Sequence, residues 1–452
     1  MSLVALRIVT HDFGPLRWGE VVAASAFANL FVGLCDFGLT RIVSREMATA
    51  GANERAVYGG GLLAGLIVSS VAMAVMTGAA FAVYADRPHL RALSLILVVS
   101  LPPNAIWVIS GAALIARARN DARGVIDVTS SLFLLGAAGA TVAAALGLAG
   151  YLWLTVAADV ATALLGLAIT RHYVHADFRS GRRRVRELIR RAAPLGASQA
   201  LTSVAYQVDV ILLALLAPLV AVGTFGVALQ VTVFGTAIPP MLTAAILPKF
   251  VDASPERQQR LAQRAFDLLT SGGAALPLAA IVFARPTLVL IGGRGFGDGA
   301  TPLILLSFYA ALSCPVAVFM DGLVYLRAER TVLRMSIGTT IVILAVAAST
   351  IPFFAAKGAA IALLAGSSVV FVWGAMAFKR TAGFGISAAK CVRFLLVSAL
   401  MIAAYLVLHL AAGYDPRGGW CLMPEMLVVL GIYAILAFGA SRRVGGHHRA
   451  RY

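Results

Sequence analysis

Long apolar runs recur along almost the whole chain, and short polar segments separate them. A helix that crosses a bilayer needs about 20 mostly apolar residues, and most of these runs reach that length. The pattern predicts a half-length element at Met1–Val9, followed by thirteen full spans. The spans are Glu20–Leu39, Val57–Tyr84, Ala92–Ala116, Val125–Leu146, Tyr151–Thr170, Pro194–Leu216, Phe225–Leu247, Leu268–Ala284, Thr301–Leu326, Met335–Phe354, Ala359–Phe378, Phe394–Ala412 and Met423–Ala440.

The first element is too short to cross a bilayer by itself. Residues 1–14 lack the basic leader and the small-residue cleavage site of a signal peptide. We therefore interpret Met1–Val9 as the second half of a membrane helix whose first half is missing.

The basic residues give the predicted spans an orientation. When the loops are assigned alternately to the two sides, 29 Lys and Arg fall on one side and 8 on the other, together all 37 in the chain. Cytoplasmic loops of membrane proteins carry the excess of positive charge. The richer side, which includes the C-terminus, is therefore predicted to be cytoplasmic, and the other side is called the outer side below.

Composition agrees with a membrane protein. Hydrophobic residues make up 60% of the chain and charged residues only 13%, whereas soluble domains carry about 25% charged residues. The net charge is +17, which in a soluble protein would suggest a nucleic-acid partner. Here the positive charge lies in short loops between apolar runs, so topology explains it and we predict no nucleic-acid partner.

One predicted span carries a continuous polar stripe. At 100° per residue, five polar side chains of Pro194–Leu216 fall within about 120° of arc. They are Gln199, Thr202, Ser203, Tyr206 and Asp209. Polar groups in hydrocarbon usually face the protein interior or a water-filled cavity. The stripe therefore predicts cavity lining, and hydrogen bonds between packed helices remain the alternative.

Thinner polar stripes occur on other spans. Asn29 and Asp36 share a face of the first full span, Asp159 lies in the middle of another, and Asp321 aligns with Ser307. For each residue alone, a helix cap or a structural hydrogen bond explains the pattern as well as a function does. Together they favour a polar interior to which both halves of the chain contribute.

Basic clusters mark the predicted inner ends of the spans. Arg41, Arg45 and Glu46 form one cluster, and Arg327 lies in another. Loop salt bridges and snorkelling of long side chains explain such clusters, and recruitment of a phosphate-bearing lipid is the functional alternative. The predicted loop His172–Ala193 is the richest in arginine. It is interpreted as an anchor on anionic head groups or as a contact for an anionic lipid carrier.

Enzyme and cofactor signatures are absent from the sequence. There is no phosphate-binding Walker loop, no GxSxG and no HExxH. The cysteines and histidines show no metal-ligand spacing. We therefore expect no cofactor, no metal site and no covalent chemistry.

Three stretches together resemble the oligosaccharide flippases of the polysaccharide-transport family, in the MATE-like MOP superfamily. They are FGPLRWGEVVAASAFANLFVGLCDFGLTRIVSREMA from Phe13, RRAAPLGASQALTSVAYQVDVILLALLAPLVAVGTFGVALQV from Arg190, and Ile246–Phe250 with LIGGRGFGDGATPLILLSFYAALSCP from Leu290. The resemblance covers essentially the whole chain. It implies an all-α protein in which two six-helix bundles, related by a pseudo-two-fold axis, surround a central cavity.

The resemblance also implies a division of the chain. Residues 1–180 would form the first bundle, with its first helix incomplete, and residues 181–390 the second. Residues 391–440 would form two additional helices, and residues 441–452 a basic cytoplasmic tail. The cavity helix of the second bundle would carry Gln199, Tyr206, Gln207 and Asp209, and the inner gate would include Asp36 and the segment Arg41–Glu46.

The implied function is transport of an undecaprenyl-phosphate-linked oligosaccharide from the inner to the outer leaflet of a bacterial cytoplasmic membrane. Membrane lipids and this lipid-linked oligosaccharide would be its partners, with a glycan polymerase or glycosyltransferases of polysaccharide or lipopolysaccharide synthesis beside them. Three alternatives remain open at this stage: a MATE-like drug or cation antiporter, a membrane enzyme of cell-envelope glycan assembly, and a non-transporting scaffold.

Overall fold

The computed structural model describes residues 3–49, 51–246, 254–326 and 328–385. All regular secondary structure in these residues is helical, and ten of their helical segments are long and apolar enough to cross a membrane. The prediction of an all-α, multi-pass membrane protein is therefore confirmed. The predicted spans Phe394–Ala412 and Met423–Ala440, the tail 441–452 and Arg327 lie outside the described residues.

The chain divides into two compact units, Met1–Leu215 and Leu216–Tyr452. The first unit holds α1 Leu3–Asp36, α2 Leu39–Thr49, α3 Glu54–Val83, α4 Pro88–Val98, α5 Leu101–Ala116, α6 Asn120–Ala143, α7 Gly147–Thr170, α8 Phe178–Gly181 and α9 Val185–Leu216. The second holds α10 Leu219–Ile246, α11 Pro255–Gly292, α12 Ala300–Tyr325, α13 Glu329–Phe354 and α14 Ala356–Ala382. A 3-10 turn, Arg294–Gly299, joins α11 to α12.

Helix α1 contains the first two predicted elements. Gly14 interrupts its helical backbone with φ 69° and ψ 178°, a conformation that glycine adopts without steric cost. Pro15 then starts the second segment, because proline is accepted in the first turn of a helix. The short element Met1–Val9 and the full span Glu20–Leu39 therefore lie on either side of this break.

One predicted span is two helices in the structure. Ala92–Ala116 was predicted as a single helix, but α4 ends at Val98 and α5 begins at Leu101. Pro102 and Pro103 occupy the first turn of α5. Proline lacks the N–H that a continuing helix needs, although it fits the start of a new one, which explains the interruption.

The arginine-rich segment His172–Ala193 was interpreted as a loop, and that interpretation is wrong for most of it. It contains α8 and the first turns of α9. Val185, Leu188 and Ala192 lie on one face of α9 and are buried in a core with residues of α2, α3 and α5. Their spacing is that of an amphipathic helix, which the surrounding arginines obscured in the sequence.

Asp177 fixes the entry into α8. Its carboxylate accepts hydrogen bonds from the backbone N–H of Arg179 at 3.0 Å and of Ser180 at 3.1 Å, and its own N–H donates to the Arg55 carbonyl. Hydrogen bonds from the Ser180 side chain and from these two N–H groups hold the pKa of Asp177 below its usual range. The carboxylate form therefore stabilises the folded protein above the pKa of an unfolded aspartate and loses this effect as the pH falls.

Asp177→Ala is expected to lower the unfolding temperature of detergent-solubilised protein by a few degrees at pH 7, because the helix loses its N-cap. The deficit relative to the wild type should shrink as the pH falls below about 4, the usual pKa of an aspartate, towards the lower pKa of Asp177 in the folded protein. Thermal unfolding at several pH values measures both effects. A deficit that is independent of pH would contradict the proposed role of the carboxylate.

Candidate functional site

Helices α1 and α9 touch within the first unit. A Cβ atom built on Gly33 would lie 1.7 Å from the Ser203 hydroxyl oxygen, and one built on Gly38 would lie 2.5 Å from Leu195 Cβ. As residue numbers rise from Gly33 in α1 to Gly38 just after its end, the contacted numbers fall from Ser203 to Leu195 along α9. The two helices therefore run antiparallel, and the contact at Gly33 leaves no room for a larger residue.

Polar side chains lie on both helices one turn beyond this contact. Asn29 precedes Gly33 by four residues, and Gln207 follows Ser203 by four, so antiparallel packing places them at one level. Asn29 is exposed, Gln207 is half-buried and Tyr206 is 66% exposed. Part of the predicted stripe is therefore an open polar surface on α1 and α9. Such a surface offers amide and hydroxyl groups to a hydroxyl-rich ligand.

Asp209 lies on the same helix but is enclosed. Its residue surface is 1% exposed, and its Oδ1 atom has no hydrogen-bond partner in the described part of the chain. A buried polar group without a partner costs free energy, and few remain in folded proteins without a reason. Asp209 is therefore a candidate to bind a proton or a cation.

The predicted outer end of α9 is capped by Arg87, which sequence reasoning did not single out. Its guanidinium donates to the carbonyl oxygens of Ala214 and Leu215, the second contact at 3.2 Å. These carbonyls belong to the last turn of α9, where a cation is favourable. The acceptors are backbone atoms more than 120 residues away, so no sequence pattern could have revealed the contact.

At the inner end, the structure separates the predicted gate residues into different roles. Glu46 of α2 forms an ion pair with Arg191 of α9, which also pairs with Glu187. Arg41 and Arg45 are exposed on α2, and neither has an ion pair within the described residues. These two arginines remain accessible to an anionic ligand.

Asp36 caps α2. It accepts hydrogen bonds from the backbone N–H and the hydroxyl of Thr40, next to the positive-φ residues Phe37 and Gly38. Of the two roles considered for Asp36, a helix cap or a function in the site, the structure shows the helix cap. This contact explains why an aspartate stands at the junction of α1 and α2 without requiring a role in transport.

The remaining predicted site residues lie apart from the contact between α1 and α9. Asp159 is half-buried on α7 and has no hydrogen bond to another described residue. Asp321 of α12 accepts a hydrogen bond from the Thr243 hydroxyl of α10, which links these two helices of the second unit. The side chain of Gln199 is outside the described part of the structure.

A cavity of about 200 Å³ lies between α10, α11 and α12. Its lining is mostly apolar and includes Leu276 and Phe283. Of the three lining hydroxyls, those of Thr232 and Ser307 donate to the carbonyls of Ala228 and Ile304 in their own helices, and the third is that of Thr287. The cavity therefore offers little hydrogen bonding to a sugar, in contrast to the surface around Tyr206.

Comparison with solved structures shows the fold. The chain is similar to the lipid II flippase MurJ in an inward closed conformation, with a TM-score of 0.75, 10% identity, and coverage of 97% of this chain and 96% of that one. It is also similar to an inward-facing multidrug resistance MATE family transporter of the MOP superfamily, with a TM-score of 0.68, 16% identity, and coverage of 84% and 94%.

A further similarity is to the eukaryotic MATE transporter AtDTX14, with a TM-score of 0.53, 14% identity, and coverage of 86% of this chain and 98% of that one. Among curated proteins, no sequence matches the chain. The profile of the family described as polysaccharide biosynthesis protein matches residues 1–254, which is more than half of the 452 residues. The chain therefore shares its fold with these solved structures and belongs to the polysaccharide biosynthesis protein family.

Proposed function

We propose that this protein moves a lipid-linked oligosaccharide from the inner to the outer leaflet of a bacterial cytoplasmic membrane by alternating access. The observation that carries the proposal is the open polar surface around Tyr206, Gln207 and Asn29. It lies on α1, which is long and apolar enough to span a membrane, and on α9, which the sequence predicts to span it. Polar groups are expensive in hydrocarbon, and a sugar that crosses the membrane needs hydrogen-bonding groups to replace water. Membership of a polysaccharide biosynthesis family supports a glycan as the cargo.

The arginines on the predicted inner side would bind the phosphate of the cargo. Arg41 and Arg45 are exposed and lack ion pairs in the described structure, so they are free to contact the phosphate that links lipid and sugar. Glu46, which is paired with Arg191, holds α2 against α9 at this end. Gln199 and Arg327 stay candidates on the strength of the sequence alone.

A buried carboxylate would couple transport of the oligosaccharide to the movement of a proton or a cation. Asp209 is the first candidate, because its Oδ1 atom is enclosed and has no partner within the described residues. Asp159 and Asp321 are secondary candidates, since Asp159 is half-buried and Asp321 already accepts a hydrogen bond from Thr243. No covalent step, cofactor or metal enters the mechanism. A glycan polymerase or glycosyltransferases would act before or after transport.

The second candidate function is export of cationic or amphiphilic compounds. The likeness to a multidrug resistance MATE family transporter favours it, and buried carboxylates suit a cation as well as a coupling ion. The two functions differ in what must meet the polar surface: a neutral sugar chain on a phosphate, or a positively charged compound.

Tyr206→Ala is expected to slow the flipping of a fluorescent lipid-linked oligosaccharide about tenfold in proteoliposomes, because a side chain that faces the cargo is lost. Trp153→Ala on α7 is the matched control, since this aromatic residue is also half-exposed, at 51%. The control should flip at the wild-type rate. Wild-type vesicles that leave the labelled lipid in place but expel a cationic dye would refute the proposal in favour of drug export.

A further inference from the structure

The segment from Asp177 to Ala192 is built into the first unit. A Cβ atom on Gly59 would lie 2.5 Å from the Asp177 carbonyl oxygen, and one on Gly181 would lie 2.4 Å from the Gly60 N atom. Helix α8 therefore lies backbone against backbone on α3. Together with the buried Val185 and Leu188, this contact fixes the backbone that carries the arginines of the segment, which is the support referred to below.

Four arginines on this support point away from the core. Arg182, Arg183, Arg186 and Arg190 are exposed, and we call them the basic face. None of the four forms an ion pair with another described residue. The acid within this stretch, Glu187, is paired with Arg191. The basic face is therefore a concentrated positive charge without an acidic partner in the described structure.

The position of the basic face matches that of lipid head groups. It adjoins the start of α3 at Glu54 and follows the end of α7 at Thr170, the ends that the charge distribution assigns to the cytoplasmic side. Phe178 of α8 is 51% exposed beside it. Basic residues with a neighbouring aromatic ring are typical of segments that lie on a membrane surface.

The residue type narrows the ligand chemistry. All four cations are arginines, whose planar donor groups bind phosphate through two parallel hydrogen bonds, whereas lysine offers a point charge. Arg182 and Arg183 lie between α8 and α9, and Arg186 and Arg190 lie one turn apart on α9. This spread suits several head groups better than one phosphate.

We propose that the basic face is a binding site for the phosphate head groups of anionic phospholipids in the cytoplasmic leaflet. The site is separate from the open polar surface around Tyr206, and its occupation does not depend on the cargo. Bound lipid would hold the start of α9, whose Arg191 pairs with Glu46 of α2. The lipid site would thus stabilise the first unit at its inner end.

Lipid titration of the purified full-length protein tests the site. Phosphatidylglycerol added in neutral detergent should raise the wild-type unfolding temperature, and phosphatidylcholine should not. Arg186→Gln/Arg190→Gln should weaken the apparent affinity for phosphatidylglycerol about 25-fold, since each basic residue near a membrane surface contributes about fivefold. Glutamine preserves helix propensity, so the variant should fold.

Arg285→Gln/Arg294→Gln removes the same charge from exposed positions predicted to lie on the outer side, and it should respond like the wild type. An equal response of the α9 variant would overturn the proposal, as would a larger stabilisation of the wild type by inorganic phosphate or by a short RNA than by phosphatidylglycerol. The oligosaccharide assay is independent, so failure of flipping with an intact lipid response would refute the proposed cargo and leave the lipid site standing.

Discussion

Asp209→Asn is expected to reduce flipping of the lipid-linked oligosaccharide by at least about tenfold, within the range of measured coupling free energies, without reducing the amount of folded protein. The substitution keeps the shape of the side chain and removes its capacity to hold a proton or a cation. The enclosed Oδ1 atom has no hydrogen bond to a described residue, and an amide oxygen can accept the same hydrogen bonds as a carboxylate oxygen, so the fold should be kept. Flipping rates in proteoliposomes and unfolding temperatures measure the two effects.

Asp209→Leu separates the effect on transport from the effect on stability. An unsatisfied buried polar group costs about 1–3 kcal/mol, so an apolar side chain of similar size should raise the unfolding temperature while transport is lost. Loss of function combined with gained stability is typical of residues retained for activity. Asp86→Asn is the control, because Asp86 is exposed between α3 and α4 and should tolerate the change with little effect. Undiminished flipping in Asp209→Asn would exclude this carboxylate from coupling.

The membrane spans could be predicted from sequence because they depend on local properties. Run length and hydropathy are enough to place a helix in a bilayer, and each described helix longer than 20 residues coincides with a predicted span. Pro102 and Pro103 also indicate the break between α4 and α5. It was missed because the residues on both sides are apolar and together reach the length of one membrane span.

Contacts between distant segments could not be predicted. The boundary between the halves was predicted after residue 180, at the arginine-rich segment, whereas the compact units divide after Leu215. Helix α9 joins the first unit through the contact of Ser203 with Gly33 and through the hydrogen bonds of Arg87. Glycine, serine and arginine occur at many other positions of the chain, so residue type does not mark these contacts. Only the folded structure shows that they meet.

The candidate site illustrates the same limit. The polar stripe of α9 could be predicted from the sequence, but its residues differ in solvent exposure: Tyr206 is exposed and Asp209 is buried. Asp36, which shares a face with Asn29, caps α2 instead of lining a surface. Helix periodicity groups side chains by direction, whereas exposure depends on the helices that cross in front of them.

The close contact between α1 and α9 should contribute strongly to the stability of the first unit. Gly33→Ala is expected to lower the unfolding temperature, because the added Cβ would overlap Ser203 Oγ at 1.7 Å and Ser203 Cβ at 2.7 Å. Overpacking of this kind costs about 1–3 kcal/mol. Gly78→Ala on α3 is the matched control, since nothing lies within 4 Å of its Cβ position. It should be neutral or slightly stabilising, because alanine favours a helix more than glycine does.

Ser203→Gly provides the rescue, since it removes both of the overlapping side-chain atoms. In the double variant Gly33→Ala/Ser203→Gly, the unfolding temperature should recover most of what Gly33→Ala loses, a non-additivity expected of residues in contact. If the double variant is instead as unstable as the two single losses added together, α1 and α9 do not touch at Gly33. Asn29 and Gln207 would then not share a level, and the polar surface assigned to the sugar would lose its geometric basis.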